Sequence, residues 1–409
     1  MENNKTTLRR SLSLSLFTLY GLGNILGAGI YVLIGKVAGE AGYFAPLSFF
    51  IASIIAAITA FTYAELSARY PVSAGEAVYL YEGLGLQKLS LIVGLMISFA
   101  GIVSSATIAH GFAGYMQVFF DVPRWLLTTL MLSILGGLAA WGIKQSVRVA
   151  ALLTLAEVAG LLIIIFVGSD QVPQLAQVYE KMHQDSAHLD FSLLGVFSGA
   201  FLAFYAYIGF EDMVNVAEEV KDPKRTMPRA IFLCVIISTL LYSLVSLVSI
   251  SVLTPVELSQ TDAPMAAVYT KATGESPLVI SVIGIFAVIN GALIQLIMTS
   301  RLLYGMACRG WLPGFLEKIH PVTCIPLYST ILTVTLIILF ALALPMVTLA
   351  QMTSYLVLTV FALVNFSLIK IKQRLPSPQG VRVYSLWLPK LGFVTTMTFL
   401  FIELMSLFF

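Results

Sequence analysis

Residues that build catalytic and metal centres are scarce in this chain, with four histidines and three cysteines among 409 residues. Cys234, Cys308 and Cys324 show neither CxxC nor paired spacing, which argues against a disulfide framework or a zinc site and leaves them as small apolar residues. His183 and His188 stand i, i+5 with no further ligand candidate. A glycine-rich phosphate loop and a Ser-His-Asp set are missing, so ATP-driven work is rejected. An enzyme would need a paired acid and base or a metal set that the chain does not offer. Charge is also thin, at 11% of residues and a net +2, and the basic residues are spread over particular loops rather than pooled. That distribution excludes a nucleic-acid surface.

In place of charge the chain offers apolar length. Hydrophobic residues make up 58% of it, in runs that reach or exceed the ~18 residues that a membrane helix requires. Apolar runs divided by charged or Pro/Gly punctuation place eleven spans, roughly at 13–37, 44–68, 89–119, 125–143, 149–168, 191–217, 230–253, 278–306, 326–344, 347–369 and 385–408. The expected class is an all-α polytopic membrane protein in contact with membrane lipids. Lys5, Arg9 and Arg10 before the first run resemble a signal peptide, but the run is long and no cleavage site follows, so it reads as a retained first helix. With the N-terminus cytoplasmic, nineteen of the 23 Lys and Arg fall inside, leaving Lys36, Arg124, Lys181 and Lys271 outside. This asymmetry supports an odd number of spans up to the last basic loop, Lys370 to Lys390, and the expected location is a plasma membrane, most simply a bacterial inner membrane. Eleven spans would leave the C-terminus outside.

Two spans are interrupted. Leu12 to Val37 is broken by Gly27-Ala28-Gly29, and Phe191 to Val216 is broken at Gly209, with Glu211 and Asp212 directly after. Backbone N–H and C=O groups freed by such a break find no partners in hydrocarbon, so the break persists only where it lines a cavity or holds a ligand. Two interrupted helices, each opening a half with an odd number of spans, imply a five-plus-five inverted repeat of the kind secondary transporters use. The expected organisation is a cytoplasmic segment 1–12, a first repeat 13–168, an external loop 169–190, a second repeat 191–370, and 371–409 as a loop with one further helix. Identity between the halves is not visible, so the repeat rests on topology.

Five segments carry a family resemblance: GLGNILGAGIYVLIG from Gly21, AFTYAELSARYPVSAGEAVYLYEGLG from Ala60, GFAGY from Gly111, FYAYIGFEDMVNVAEEVKDPKRTMPRAI from Phe204 and SRLLYGMACRGWLP from Ser300. Together they resemble the amino acid-polyamine-organocation superfamily of permeases, and most of all its prokaryotic amino acid permeases related to cationic amino acid transporters. The resemblance implies a LeuT-type fold with substrate held at mid-membrane between the broken helices 1 and 6. It implies binding by Ile25, Gly27, Ala28, Gly29 and Ile30, whose amides at a half-helix N-terminus suit an α-carboxylate. It also implies that the carbonyls of Tyr205, Ala206 and Ile208, beside Gly209, receive the α-ammonium, and that Tyr205 is an aromatic gate. Read without the family, Tyr205 is more readily an aromatic packed between helices. Gly94, Gly101, Gly136, Gly137 and Gly291 read as helix-packing positions.

Ionisable residues inside spans are costly and usually face a cavity or a partner. Glu157 is near the middle of span five with no other charge nearby. By the resemblance, it stands where many proton-coupled relatives have lysine. It reads as a proton carrier or a carboxylate ligand for a cation, aided by Thr299 or Ser300, or else as a buried neutral acid. Glu211 reads as a proton sensor, a support for the broken helix or an inner-gate residue. His110 reads as a packed neutral histidine, and Asn290, Gln295, Ser104 and Ser105 as interhelical hydrogen-bonding groups or pocket lining. Glu65 and Arg69 read as an i, i+4 salt bridge, with a possible inner-gate contact between the YAEL and EEVKDPKR segments.

The resulting expectation is a secondary active amino acid transporter, foremost a proton-coupled symporter of a neutral amino acid, with no cofactor beyond H+ or Na+ and no obligate protein partner. Sodium-coupled symport or exchange is the alternative, and a receptor-like sensor without net flux is the alternative of another class.

Overall fold

The computed structural model describes residues 12–72, 75–140, 147–176, 193–320 and 325–406. The helices in chain order are α1 (Leu14–Ala41), α2 (Ala45–Arg69), α3 (Gly75–Leu84), α4 (Gln87–Met116), α5 (Arg124–Ala140), α6 (Val147–Gly168) and α7 (Leu193–Phe204). They continue as α8 (Pro223–Val252), α9 (Pro255–Gln260), α10 (Pro264–Thr273), α11 (Leu278–Cys308), α12 (Leu327–Ala343), α13 (Met346–Arg374) and α14 (Trp387–Ser406). An isolated bridge between Leu12 and Val220 is the β-type pairing among the described residues. His183 and His188, most of the expected segment 1–12 and much of the loop 169–190 lie outside them.

Eight helical stretches are long and apolar enough to cross a bilayer, the first of them, Leu14–Arg69, containing both α1 and α2. At 17 residues each, α5 and α12 are apolar but short, so length alone does not establish the expected eleven spans. The outer surface supports bilayer immersion independently. On α6, Leu152, Leu155, Leu162 and Phe166 are all more than half exposed, and at this helical spacing they share an apolar face of the kind that marks contact with a membrane or a partner rather than water.

Three helices depart from the sequence reading because none is long enough to span. The ten-residue α3 follows α2, and α9 and α10 fold the segment between α8 and α11. A capping box starts α9: Glu257 N–H donates to Thr254 Oγ1 at 3.3 Å, while Thr254 N–H donates to Glu257 Oε2 at 2.8 Å.

At the core, α1 and α7 are enclosed by α2 packed along α8 and by α4 packed along α11. Small residues allow this, as Gly199 against Ala41 and Ser48 illustrates. Of the glycines read as packing positions, Gly94 meets Met306, Gly101 meets Thr299 and Gly136 meets Val334. Gly137 has no neighbour within 4 Å of a would-be Cβ, and Gly291 lines a cavity.

Charged residues tie both ends of the bundle. Arg69 donates to Glu65 Oε1 from Nε at 2.9 Å and from Nη2 at 2.6 Å, forming the i, i+4 pair. Across the bundle, Lys372 Nζ donates to Glu65 Oε2 at 2.7 Å and to the Tyr384 carbonyl at 2.6 Å, and the Tyr384 N–H donates to Glu65 Oε2 at 2.9 Å. Among the described residues, Glu65 is therefore paired with the end of α13 and the loop after it, and with no residue of the EEVKDPKR segment. At the opposite end, Asp262 pairs with Lys36 at 3.6 Å and with Arg124, bringing α1 and α5 to the turn between α9 and α10.

Removing one partner of a buried ion pair strands the other, at a cost of about 3–5 kcal/mol. Lys372→Met is expected to lower the unfolding midpoint of the purified protein clearly, and Glu65→Gln/Lys372→Met to destabilise less than the sum of the two single changes. Additive single effects would disprove a linked network.

Candidate functional site

Gly27 breaks α1, with φ −20° and ψ −108° inside an otherwise helical segment. The second break is longer: α7 ends at Phe204, Tyr205–Tyr207 form a 3-10 turn, Ile208 is extended at ψ 135°, and Gly209 has φ 128°. That φ is open to glycine and rarely to other residues. A Cβ on Gly209 would also lie 2.8 Å from the Asn24 carbonyl. The breaks face each other, with Gly29 so close to the Ala206 backbone that a side chain has no room.

The freed backbone groups have partners. Tyr242, fully buried on α8, directs its hydroxyl between two carbonyls, Ile25 at 2.8 Å and Ala206 at 2.9 Å, one from each break. Asn24 Nδ2 donates to the Gly209 carbonyl at 2.9 Å and to Asp212 Oδ2 at 3.0 Å. Gln295 Nε2, from α11, donates to the same Asp212 oxygen at 3.0 Å. The Gly209 N–H donates to Glu211 Oε2 at 2.9 Å, a hydrogen bond within the second break.

Between the breaks lies a cavity of about 20 Å³, lined by Asn24, Ile25, Gly29, Ser104, Ile108, Tyr205, Ile208, Gly291 and Gln295. Such a volume holds about one water molecule, so an amino acid would enter only after the surrounding helices move. Tyr205 closes one wall, its hydroxyl 2.9 Å from Ser104 Oγ. Of the expected binding residues, Ile25, Gly29, Tyr205 and Ile208 border this space. Ile30 is fully buried, and Gly27 faces Ala287 and Gly291 of α11. The side chain of Ala28 lies outside the described residues. Two of the three carbonyls expected to face an ammonium already accept a donor: Tyr205 takes the Ile208 N–H at 3.2 Å and Ala206 takes Tyr242. Each carbonyl has a second lone pair for another.

Glu157 lies apart from this cavity, between α1, α6 and α11. Tyr31 donates its hydroxyl to the Glu157 backbone carbonyl at 2.6 Å, and Asn290 Nδ2 approaches Oε1 at 3.5 Å. Oε2 is buried without a hydrogen-bond partner among the described residues. Thr299 and Ser300, expected beside it, are not. They follow Asn290 by nine and ten residues on the same helix, about 14 Å along its axis. Thr299 packs on Gly101, and the Ser300 hydroxyl donates to the Ile297 carbonyl at 2.9 Å. His110 is half-buried, with Nε2 3.1 Å from the Leu344 carbonyl.

Sequence reasoning passed over Asn24, Tyr242 and Glu76. Asn24 left a signal, as a polar residue in the apolar stretch GLGNILGAG. Tyr242 left none. Glu76, on the non-spanning α3, is 3% exposed. Burial pushes its carboxyl up to about 8 against the pull of its own backbone N–H, and the nearby Asp212 charge adds to the rise.

Comparison with known proteins bears on the whole chain. The family model described as amino acid permease matches residues 12–409. The branched-chain amino acid permease BcaP of Bacillus subtilis (strain 168) is 27% identical over 402 residues, 91% of this chain and 83% of that protein. The methylthioribose transporter of the same organism is 28% identical, covering 92% and 84%. The vacuolar cationic amino acid transporter 4 of Arabidopsis thaliana is 31% identical over 399 residues, 92% of this chain. The chain spans 65% of that plant protein's length.

Tyr242→Phe removes the hydroxyl shared by the two breaks and is expected to cost about 1–3 kcal/mol of stability, read from denaturant unfolding. A loss below the noise would show that the two carbonyls do not depend on it. For Glu76, a folded-state value raised above the unfolded 4.5 means stability that is complete below that pH and lost as pH climbs through about 8. Unfolding midpoints measured across this window should fall more steeply for the native chain than for Glu76→Gln. Parallel pH profiles would contradict the burial effect.

Proposed function

The chain belongs to the amino acid permease family, and from that premise we propose that it is a secondary active transporter moving a neutral amino acid across a plasma membrane by alternating access, driven by protons. It is a multi-pass membrane protein, and its relatives are permeases and transporters, not enzymes. The proposed architecture is LeuT-type, with α1 and the α7 segment as the broken openers of two inverted five-helix repeats and the N-terminus cytoplasmic.

The observation carrying this reading is the space between two interrupted helices, lined by Asn24, Ile25 and Gly29 of the first and by Tyr205 and Ile208 of the second. Amides from Gly27 to Ile30 would meet the substrate carboxylate, and the Ile208 carbonyl with its neighbours would meet the ammonium. Ile25, Ile108 and Ile208 give the remaining wall an apolar character that supports a neutral side chain. Asp212 is turned to Asn24 and Gln295 and does not border the space, which also supports a neutral substrate over a cationic one. Branched-chain amino acids fit the chemistry and agree with the name of the BcaP relative. Glu157 is the proposed proton carrier, since one of its oxygens has no hydrogen-bond partner among the described residues and its backbone carbonyl accepts from Tyr31 of the broken α1.

Reconstituted into proteoliposomes, the protein is expected to accumulate leucine, isoleucine or valine when the interior is alkaline, without sodium. Glu157→Gln should lose accumulation at least tenfold while keeping leucine counterflow. Accumulation only under a sodium gradient, or a variant with unchanged pH dependence, would remove proton coupling through Glu157. Binding without flux would replace the transporter with a sensor.

A further inference from the structure

A second cavity, about 580 Å³, opens at the end of the bundle that carries Arg69 and Lys372. Its floor is aromatic: Phe61 of α2 lies 4.7 Å from Phe232 of α8 and 5.3 Å from Tyr384, centroid to centroid. Its rim is cationic. Lys224, Arg225 and Arg229 come from the first two turns of α8, and Arg382 from the loop between α13 and α14. The Arg225 guanidinium meets Asp222 only at 3.8 Å with both side chains exposed. Lys224, Arg229 and Arg382 make no ion pair among the described residues. Arg382 stacks 5.6 Å over the Tyr384 ring, which orients its guanidinium plane.

Cations gathered around one hollow repel one another unless an anion sits among them. The mouth also continues into an apolar stripe. Ile236, which lines the cavity, is 56% exposed, and Leu240 and Leu244 repeat that face at 59% and 45%. Spaced four residues apart, they stand in line on one side of a helix that is long enough to span a bilayer.

We propose that this cavity binds the phosphate headgroup of an anionic phospholipid from the adjacent leaflet, its acyl chains lying along the Ile236, Leu240 and Leu244 stripe. Guanidinium groups match phosphate oxygens in a bidentate geometry, and basic pockets between spanning helices are suited to anionic headgroups. The site is distinct from the one between the broken helices. Tyr384 links it to the buried network, since its backbone bonds to both Lys372 and Glu65. A lipid bridging α8 to the 375–386 loop therefore steadies that end of the bundle.

The test is thermal unfolding of the full chain in phosphatidylcholine nanodiscs, in phosphate-free buffer, as phosphatidylglycerol replaces part of the lipid. Phosphatidylglycerol is expected to raise the midpoint by several degrees, millimolar inorganic phosphate is not, and Arg229→Gln/Arg382→Gln is expected to lose at least half of the rise. Lys88→Gln/Lys318→Gln, removing equal charge from exposed positions elsewhere, should keep it. If the double variant is already destabilised in phosphatidylcholine, Arg382→Gln alone, in an exposed loop, repeats the measurement. No rise in the native chain, or equal rises in both double variants, would overturn the site. A rise reproduced by inorganic phosphate would overturn a lipid as its occupant.

Discussion

Main chain taken out of a helix in an apolar surround must find hydrogen-bond partners, and most of this molecule's polar design follows from that requirement. A freed amide or carbonyl in hydrocarbon costs several kcal/mol. Here the partners come from the two breaks themselves and from three side chains around them. Tyr242 serves a carbonyl of each break, Asn24 reaches from the first to Gly209 in the second, and Glu211 takes the Gly209 amide. Glycine at 29 lets the two segments approach to backbone contact, and Gly209 supplies the conformation that turns the second.

With so little charge in the chain, where it sits becomes informative. Glu65, Arg69 and Lys372 close one end, and Lys36, Arg124 and Asp262 close the other. Between them the central cavity is too small for anything but water. The exposed basic cavity around Arg229 and Arg382 stands outside both, joined to the first through Tyr384.

The elements legible in the sequence were those set by local chemistry. Apolar runs marked the long helices, and glycines inside apolar runs marked the breaks, because both signals are contained in a few consecutive residues. The Glu65–Arg69 pair was legible for the same reason, being one helical turn apart. What escaped depends on where distant segments meet. Lys372 reaches Glu65 across 307 residues and Asn24 reaches Asp212 across 188, and no local pattern encodes either meeting. The family resemblance points to Thr299 and Ser300 of the eighth span as companions of Glu157. Depth along α11 separates them, and Asn290 stands where they were expected. The short helices α3, α9 and α10 were missed because a search for spans discards anything that cannot cross a bilayer.

The central claim is that the two interruptions form one ligand cradle made of backbone. Amide hydrogen exchange of the reconstituted protein, with and without leucine, addresses it directly. Without ligand, amides at 27–30 and 208–209 should exchange faster than those of the flanking helices, and leucine should slow both sets together. Exchange as slow as in mid-helix without ligand, or protection by leucine at neither break, would contradict the account.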